Sequence, residues 1–165
     1  MVLDNWQIGL QLEFLIDIIF ALAAGFVIGV ERESRGKPAG ISTNSLVIGG
    51  AMLFTYLSAA VDPNSTSRIA AQVVSGIGFL GAGMILKGEV DKKITNLTTA
   101  ASVWYSAAIG MAIGFNFYII ALAAVIFAVA VPRIPHISKI KKDLEDDWIV
   151  LSSISFVRLF YYQNN

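Results

Sequence analysis

The sequence predicts an all-α polytopic membrane protein of about five transmembrane helices, with the N-terminus outside and the C-terminus inside. Three observations carry this expectation. Hydrophobic residues make up 56% of the 165 residues and charged ones 15%, against about 45–50% and about 25% in soluble domains. The charges are segregated, leaving five apolar runs near the roughly 17–25 residues that cross a bilayer. When five spans are drawn, eleven of the twelve lysines and arginines fall on one side, which the positive-inside rule makes cytoplasmic.

The first run is Leu12–Val30, LEFLIDIIFALAAGFVIGV. Asp4 and Glu13 precede or open it and no Lys or Arg does, so it lacks the basic start of a cleaved signal peptide and is expected to remain as a helix. The second run is Asn44–Val61, the third Ile69–Leu86 and the fourth Thr98–Gly114. The fifth is Phe115–Val131, ended by Pro132, which cannot continue a helix. Only Gly114-Phe115-Asn116 is available to turn the chain between the last two. The basic residues sit in loop 31–43 (Arg32, Arg35, Lys37), loop 87–97 (Lys87, Lys92, Lys93) and the tail, with Arg68 alone on the opposite side.

Composition excludes several functions. The net charge is zero with no long basic run, so nucleic-acid binding has no electrostatic support. There is no cysteine and one histidine, His136, which reads as a solvated loop residue and supplies no metal cluster. No nucleophile is paired to a base, so no catalytic residue is assigned and an enzyme is not expected. No cofactor is expected.

Gly76-Ile77-Gly78-Phe79-Leu80-Gly81 fits the G-x-G-x-x-G pattern of dinucleotide sites. Such a site needs a strand before it, a helix after it and an acidic residue downstream. Here the glycines lie inside an apolar run, where small residues let helix backbones approach closely in lipid. Ala71, Ser75, Gly78 and Ala82 recur at helical spacing and are expected to form a packing face. Gly25-x-x-x-Gly29 and Gly110-x-x-x-Gly114 repeat the pattern. Such glycines can also loosen a helix so that its carbonyls reach a substrate.

Polar residues within the runs are the candidate functional positions. Asp17 lies inside the first run, where a lipid-facing carboxylate costs about 2.5–3.5 kcal/mol on insertion scales. It either faces the bundle or reaches the outer interface. Glu13, Asp17, Ala21, Ala24, Ile28 and Glu31 share one helical face. Gln72 in the third run fits an interhelical hydrogen bond or a cavity ligand. The loop ERESRGKPAGISTN, residues 31–44, is the richest polar stretch. Glu31, Arg32, Glu33 and Arg35 alternate in sign, Gly36, Pro38 and Gly40 force turns, and Thr43 or Asn44 is placed to cap the next helix. Its carboxylates are oxygen ligands of the type Mg²⁺ accepts, but no spacing singles out a metal site.

The chain resembles the MgtC/SapB family of bacterial inner-membrane proteins. The resemblance runs through ERESRGKPAG (residues 31–40), Asp62-Pro63, SRIAAQVVSGIGFLGAG (67–83) and LTTAASVWYSAAIG (97–110). It implies five membrane helices and a location in the inner membrane. It also implies a link to growth in low magnesium and to survival inside host cells. The partner it suggests is another membrane protein, the F-type ATP synthase among them, or a second copy. Two arginines usual in the family are replaced: Gly40-Ile41-Ser42-Thr43 stands for G-L-R-T, and Thr95-Asn96-Leu97-Thr98-Thr99 for the R-G-L-T/N-T stretch.

The expected organisation is a transmembrane domain over 12–131 and a short cytoplasmic or interfacial tail over 132–165. The tail is shorter than the soluble domain that follows the helices in many family members, and too short to bury a core alone. Its charged part, 136–147, is expected in solvent. Its aromatic part, 148–162, suits the bilayer interface or the first strand of such a domain. The functional expectation is a membrane protein that binds and regulates another membrane protein. The alternative is a small transporter of Mg²⁺ or another solute, which needs polar ligands near the midplane.

Overall fold

The structure, a computed structural model, describes residues 5–61, 64–87 and 94–134. The tail segments 136–147 and 148–162 lie outside the described residues, as do Pro63 and Lys92. Five α-helices follow in order: α1 (Asn5–Ser34), α2 (Ile41–Val61), α3 (Ser67–Met84), α4 (Leu97–Gly114) and α5 (Tyr118–Ala130). Between α3 and α4, β1 (Leu86–Lys87) pairs antiparallel with β2 (Ile94–Thr95), with Leu86 opposite Thr95. Two units are distinguished, Met1–Val129 and Ala130–Asn165. The described part of the second holds a 3₁₀ turn at Val131–Arg133, with Pro132 in its first positions.

The helices are longer or shorter than their apolar runs for identifiable reasons. α1 extends beyond Leu12–Val30 at both ends, because hydropathy marks the lipid crossing whereas the backbone ladder continues through polar Gln11, Glu31 and Arg32. α5 begins at Tyr118, three residues after the expected Phe115. Phe115, Asn116 and Phe117 are used in the turn, where Asn116 takes a left-handed φ of 62°, a conformation asparagine tolerates. The N–H groups of Asn116 and Phe117 close it by donating to the carbonyls of Ile113 and Ala112, both at 2.8 Å. Segments Gly9–Ser34, Ile41–Val61 and Leu97–Gly114 are long and apolar enough to cross a membrane, while Ala70–Met84 and Tyr118–Arg133 are shorter apolar helices. The 13 residues of α5 rise about 20 Å, less than the roughly 30 Å hydrocarbon core.

α2 is the centre of the bundle. α1 runs antiparallel to it, and a Cβ on Gly25 or Gly29 would overlap the Cα of Ser45 or Ile41. α4 runs parallel to it, and a Cβ on Gly114 would stand 2.5 Å from the Met52 carbonyl oxygen and 2.9 Å from Thr55 Cβ. Glycine at these positions is what lets the backbones meet. The main core joins Ala21, Ala24 and Ile28 of α1, Ile48 and Met52 of α2, Ile109 and Ile113 of α4, and Ala121 of α5. A second core joins Ala51, Ile77 of α3, Val103 and Ala107. The outward surface is also apolar, with Ile19, Phe79 and Ile119 largely exposed, as lipid-facing positions require.

Lys37 and Asn64 are exposed beyond opposite ends of α2. The charge asymmetry of the sequence predicts Lys37 inside and Asn64 outside. In intact cells, Asn64→Cys is expected to react with an impermeant thiol reagent and Lys37→Cys is not. The reverse pattern would invert the topology. The native chain has no cysteine to interfere.

Candidate functional site

The elbow between α1 and α2 is a buried polar knot. Arg32 is 2% exposed although it is the last basic residue of α1. Its Nε donates to the carbonyls of Pro38 (2.9 Å) and Ala39 (3.0 Å). Its Nη2 donates to the Pro38 carbonyl (2.6 Å) and to Thr99 Oγ1 of α4 (2.8 Å). The planar fork of the guanidinium allows one side chain to hold a turn and a neighbouring helix together. Asn44, fully buried on α2, donates from Nδ2 to the carbonyls of Ala39 (2.6 Å) and Gly40 (2.9 Å). Its Oδ1 accepts from the Ser106 hydroxyl at 2.8 Å. Ala39 has φ 60°, a strained value for a residue with a side chain. It persists because Arg32 and Asn44 both grip its carbonyl.

The two carboxylates of the elbow are engaged as well. Glu31 is buried and pairs with Arg35 at 2.8 Å. Glu33 Oε1 accepts the Ile41 N–H at 2.9 Å and so caps α2, a favourable place for an acidic group. This corrects the expected cap: α2 starts at Ile41, not at Asn44, and Asn44 turns inward instead. A Cβ on Gly40 would overlap the Glu33 carboxylate, so glycine makes room for the cap. Among the described residues, no group of three or more His, Cys, Asp or Glu is placed to hold a metal ion.

Asp17 faces the inside of the bundle, 0% exposed. Tyr118, the first residue of α5, places its hydroxyl 2.8 Å from Asp17 Oδ1. Ala21, Ala24, Ile28 and Glu31 continue the buried face of α1, while Glu13 is exposed. Asp17 and Arg32 stand apart along α1 by about 22 Å of helical rise, with apolar core between them.

Gln72 is exposed and lines a crevice of about 500 Å³ between α2 and α3 with Leu46, Gly50, Phe54, Gly76 and Leu80. The small face of α3 differs from the expected packing seam. Ala71, Ser75, Gly78 and Ala82 are exposed, and a Cβ on Gly78 would meet nothing within 4 Å. The face turned to the bundle carries Ala70, Ile77 and Gly81, with Val73 and Met84 against the second core. Close packing needs volume to fill the groove, and Ile77, Val73 and Met84 supply it where the small stripe cannot.

Asn116, Tyr118, Thr99 and Ser106 were not among the expected site residues. For α4 the signal was available: Thr99, Val103, Ser106, Gly110 and Ile113 follow the three-and-four spacing of one face, and all are buried. The hydroxyls in that stripe are the ones that Arg32 and Asn44 find.

A family model described as the MgtC family matches residues 18–137. The "Protein MgtC" of Salmonella typhimurium strain LT2 is 44% identical over 117 residues, covering 71% of this chain and 50% of that protein. The "Protein MgtC" of Brucella abortus is 45% identical over 112 residues, covering 67% and 46%. The Escherichia coli K12 protein named "Putative magnesium transporter YhiD" is 41% identical over 136 residues, covering 75% and 61%. The chain thus spans about half to three-fifths of the length of these relatives. No solved structure matches.

Proposed function

Because the chain belongs to the MgtC family of membrane proteins, we propose that it acts in the bacterial inner membrane under magnesium limitation by binding and regulating another membrane protein, with no chemistry of its own. The observation that carries this reading is the outward face of α3. Ser75, Gly78 and Ala82 are exposed, and the backbone at Gly76, Gly78 and Gly83 is bare, with nothing within 4 Å of a Cβ placed there. In lipid, such a face gains contact by taking another helix against it. The elbow supports the same reading, since its charges are spent on holding helices rather than on lining a path. The name of the E. coli relative makes transport of magnesium the second reading. Mg²⁺ sheds water reluctantly and favours octahedral oxygen coordination, while the core between Asp17 and Arg32 is built of Ala21, Ala24 and Ile28.

Gly78→Ile tests the reading directly. The variant is expected to reach the membrane and melt like the wild type, because the site has open space around it. Retention of the co-purifying partner, with the F-type ATP synthase probed first, is expected to fall about tenfold or more, equivalent to about 1.4 kcal/mol. In liposomes loaded with a Mg²⁺-sensitive dye, the purified wild type is expected to leave Mg²⁺ entry at the background rate. Unchanged retention together with saturable Mg²⁺ entry would replace the binder with the transporter.

A further inference from the structure

Tyr118 stands between two acceptors. Its hydroxyl oxygen is 2.8 Å from Asp17 Oδ1 and 2.9 Å from Asn116 Oδ1. A tyrosine hydroxyl has one proton to give, so it satisfies one of these contacts and the other needs a proton from its far side. An amide oxygen has none. A carboxyl has one when it is protonated.

The surroundings of Asp17 favour that form. The residue is fully buried and its Oδ2 has no hydrogen-bond partner. The titratable groups around it are Glu13, one turn earlier on α1, Tyr56 of α2, whose hydroxyl donates to the Leu10 carbonyl at 2.6 Å, and Tyr118 itself. α4 brings apolar Ile113 to the same core. None of these groups supplies positive charge, and an unpaired buried carboxylate is costly. We propose that Asp17 is a proton-binding site: as a neutral acid it donates to the Tyr118 oxygen, and Tyr118 donates in turn to Asn116 Oδ1.

This chain of two hydrogen bonds runs from the interior to the exposed residue of the α4–α5 turn. It also pins α5. The other holds on that helix among the described residues include the ring contacts Phe20–Tyr118 (5.0 Å) and Tyr105–Phe127 (5.6 Å), the buried Ala121, and Ala124, Val125, Ala128 and Val129 packed against the main core. Behind them, an apolar crevice of about 370 Å³ separates α1 from α5, lined by Ala23, Val27, Ile119 and Leu122 among others. When the proton passes to water, the carboxylate left behind has an oxygen with no donor in reach. Water must enter to satisfy it, and the crevice gives α5 room to shift.

The test is infrared spectroscopy of the full chain in lipid at neutral pH. The wild type is expected to show a protonated-carboxyl C=O band that shifts in D₂O. Asp17→Asn is expected to lack it, and Tyr118→Phe is expected to keep it at a changed frequency. On raising the pH the band is expected to disappear together with a change in distance between spin labels on Ile19→Cys and Ile119→Cys, both exposed positions. Absence of the band at neutral pH would show an ionised Asp17 and a reversed Asn116 amide, overturning the site. Loss of the band at constant distance would overturn the coupling to α5.

Discussion

Gly110→Leu is expected to leave almost no folded protein in the membrane. Gly110 is where α4 lies directly on α2. A Cβ there would overlap the Ile48 carbonyl oxygen and stand 2.9 Å from Ala51 Cβ and 3.0 Å from the Ile48 carbonyl carbon. Two of these atoms are backbone, so no rotamer change relieves the overlap and the helices must separate. Separation also breaks the Asn44–Ser106 bond one turn away and opens the core around Ile48 and Ile109. Overpacking a core usually costs about 1–3 kcal/mol. Here even Gly110→Ala is expected to reach the top of that range, and the leucine to exceed it. Against a total stability of about 5–15 kcal/mol, the outcome is loss of accumulation and a lowered melting temperature in detergent. Gly49→Leu is the control on α2, where a Cβ meets nothing within 4 Å. Equal accumulation and melting of the two variants would refute the α2–α4 seam.

Arg32→Met is expected to lower stability by about 2–6 kcal/mol. Methionine keeps much of the volume but leaves the Pro38 carbonyl and Thr99 Oγ1 without their donor, at about 1–3 kcal/mol for each orphaned group. The Ala39 carbonyl retains Asn44. Arg32→Lys is expected to fall between, since an ammonium restores a point charge but not the fork. The elbow is expected to loosen with it. Tryptic nicking after Arg35, in the turn that follows α1, is expected to rise in step with the drop in melting temperature. A wild-type melting curve for Arg32→Met would mean that the knot contributes nothing to holding α4.

The elbow shows how far residue types alone lead. Alternating Glu31, Arg32, Glu33 and Arg35 followed by Gly36, Pro38 and Gly40 marked a charged turn, which the structure contains. Their separate fates were not readable. Arg32 and Glu31 are buried, Glu33 is an exposed cap, and Arg32's partner Thr99 is 67 residues away. Asn44 looked like a cap because asparagine commonly is one, and only the closeness of α4 turned it inward to Ser106.

The helices and their ends were largely written in the chain. Crossing a membrane is a matter of transfer free energy summed along consecutive residues, and Asn116 marks the α4–α5 turn by its own tolerance of a left-handed backbone. Which face of each helix packs was decided by the assembled bundle. In water, a buried face is apolar and an exposed face polar, so the pattern tells them apart. In lipid both faces are apolar, and that signal vanishes. Ser75, Gly78 and Ala82 therefore look as ready to pack as Gly25 and Gly29, yet the first set faces outward and the second lies against α2. For the same reason, Asp17 could be seen as costly wherever it stood, but its partner Tyr118, 101 residues later, was set only by where α5 comes to rest.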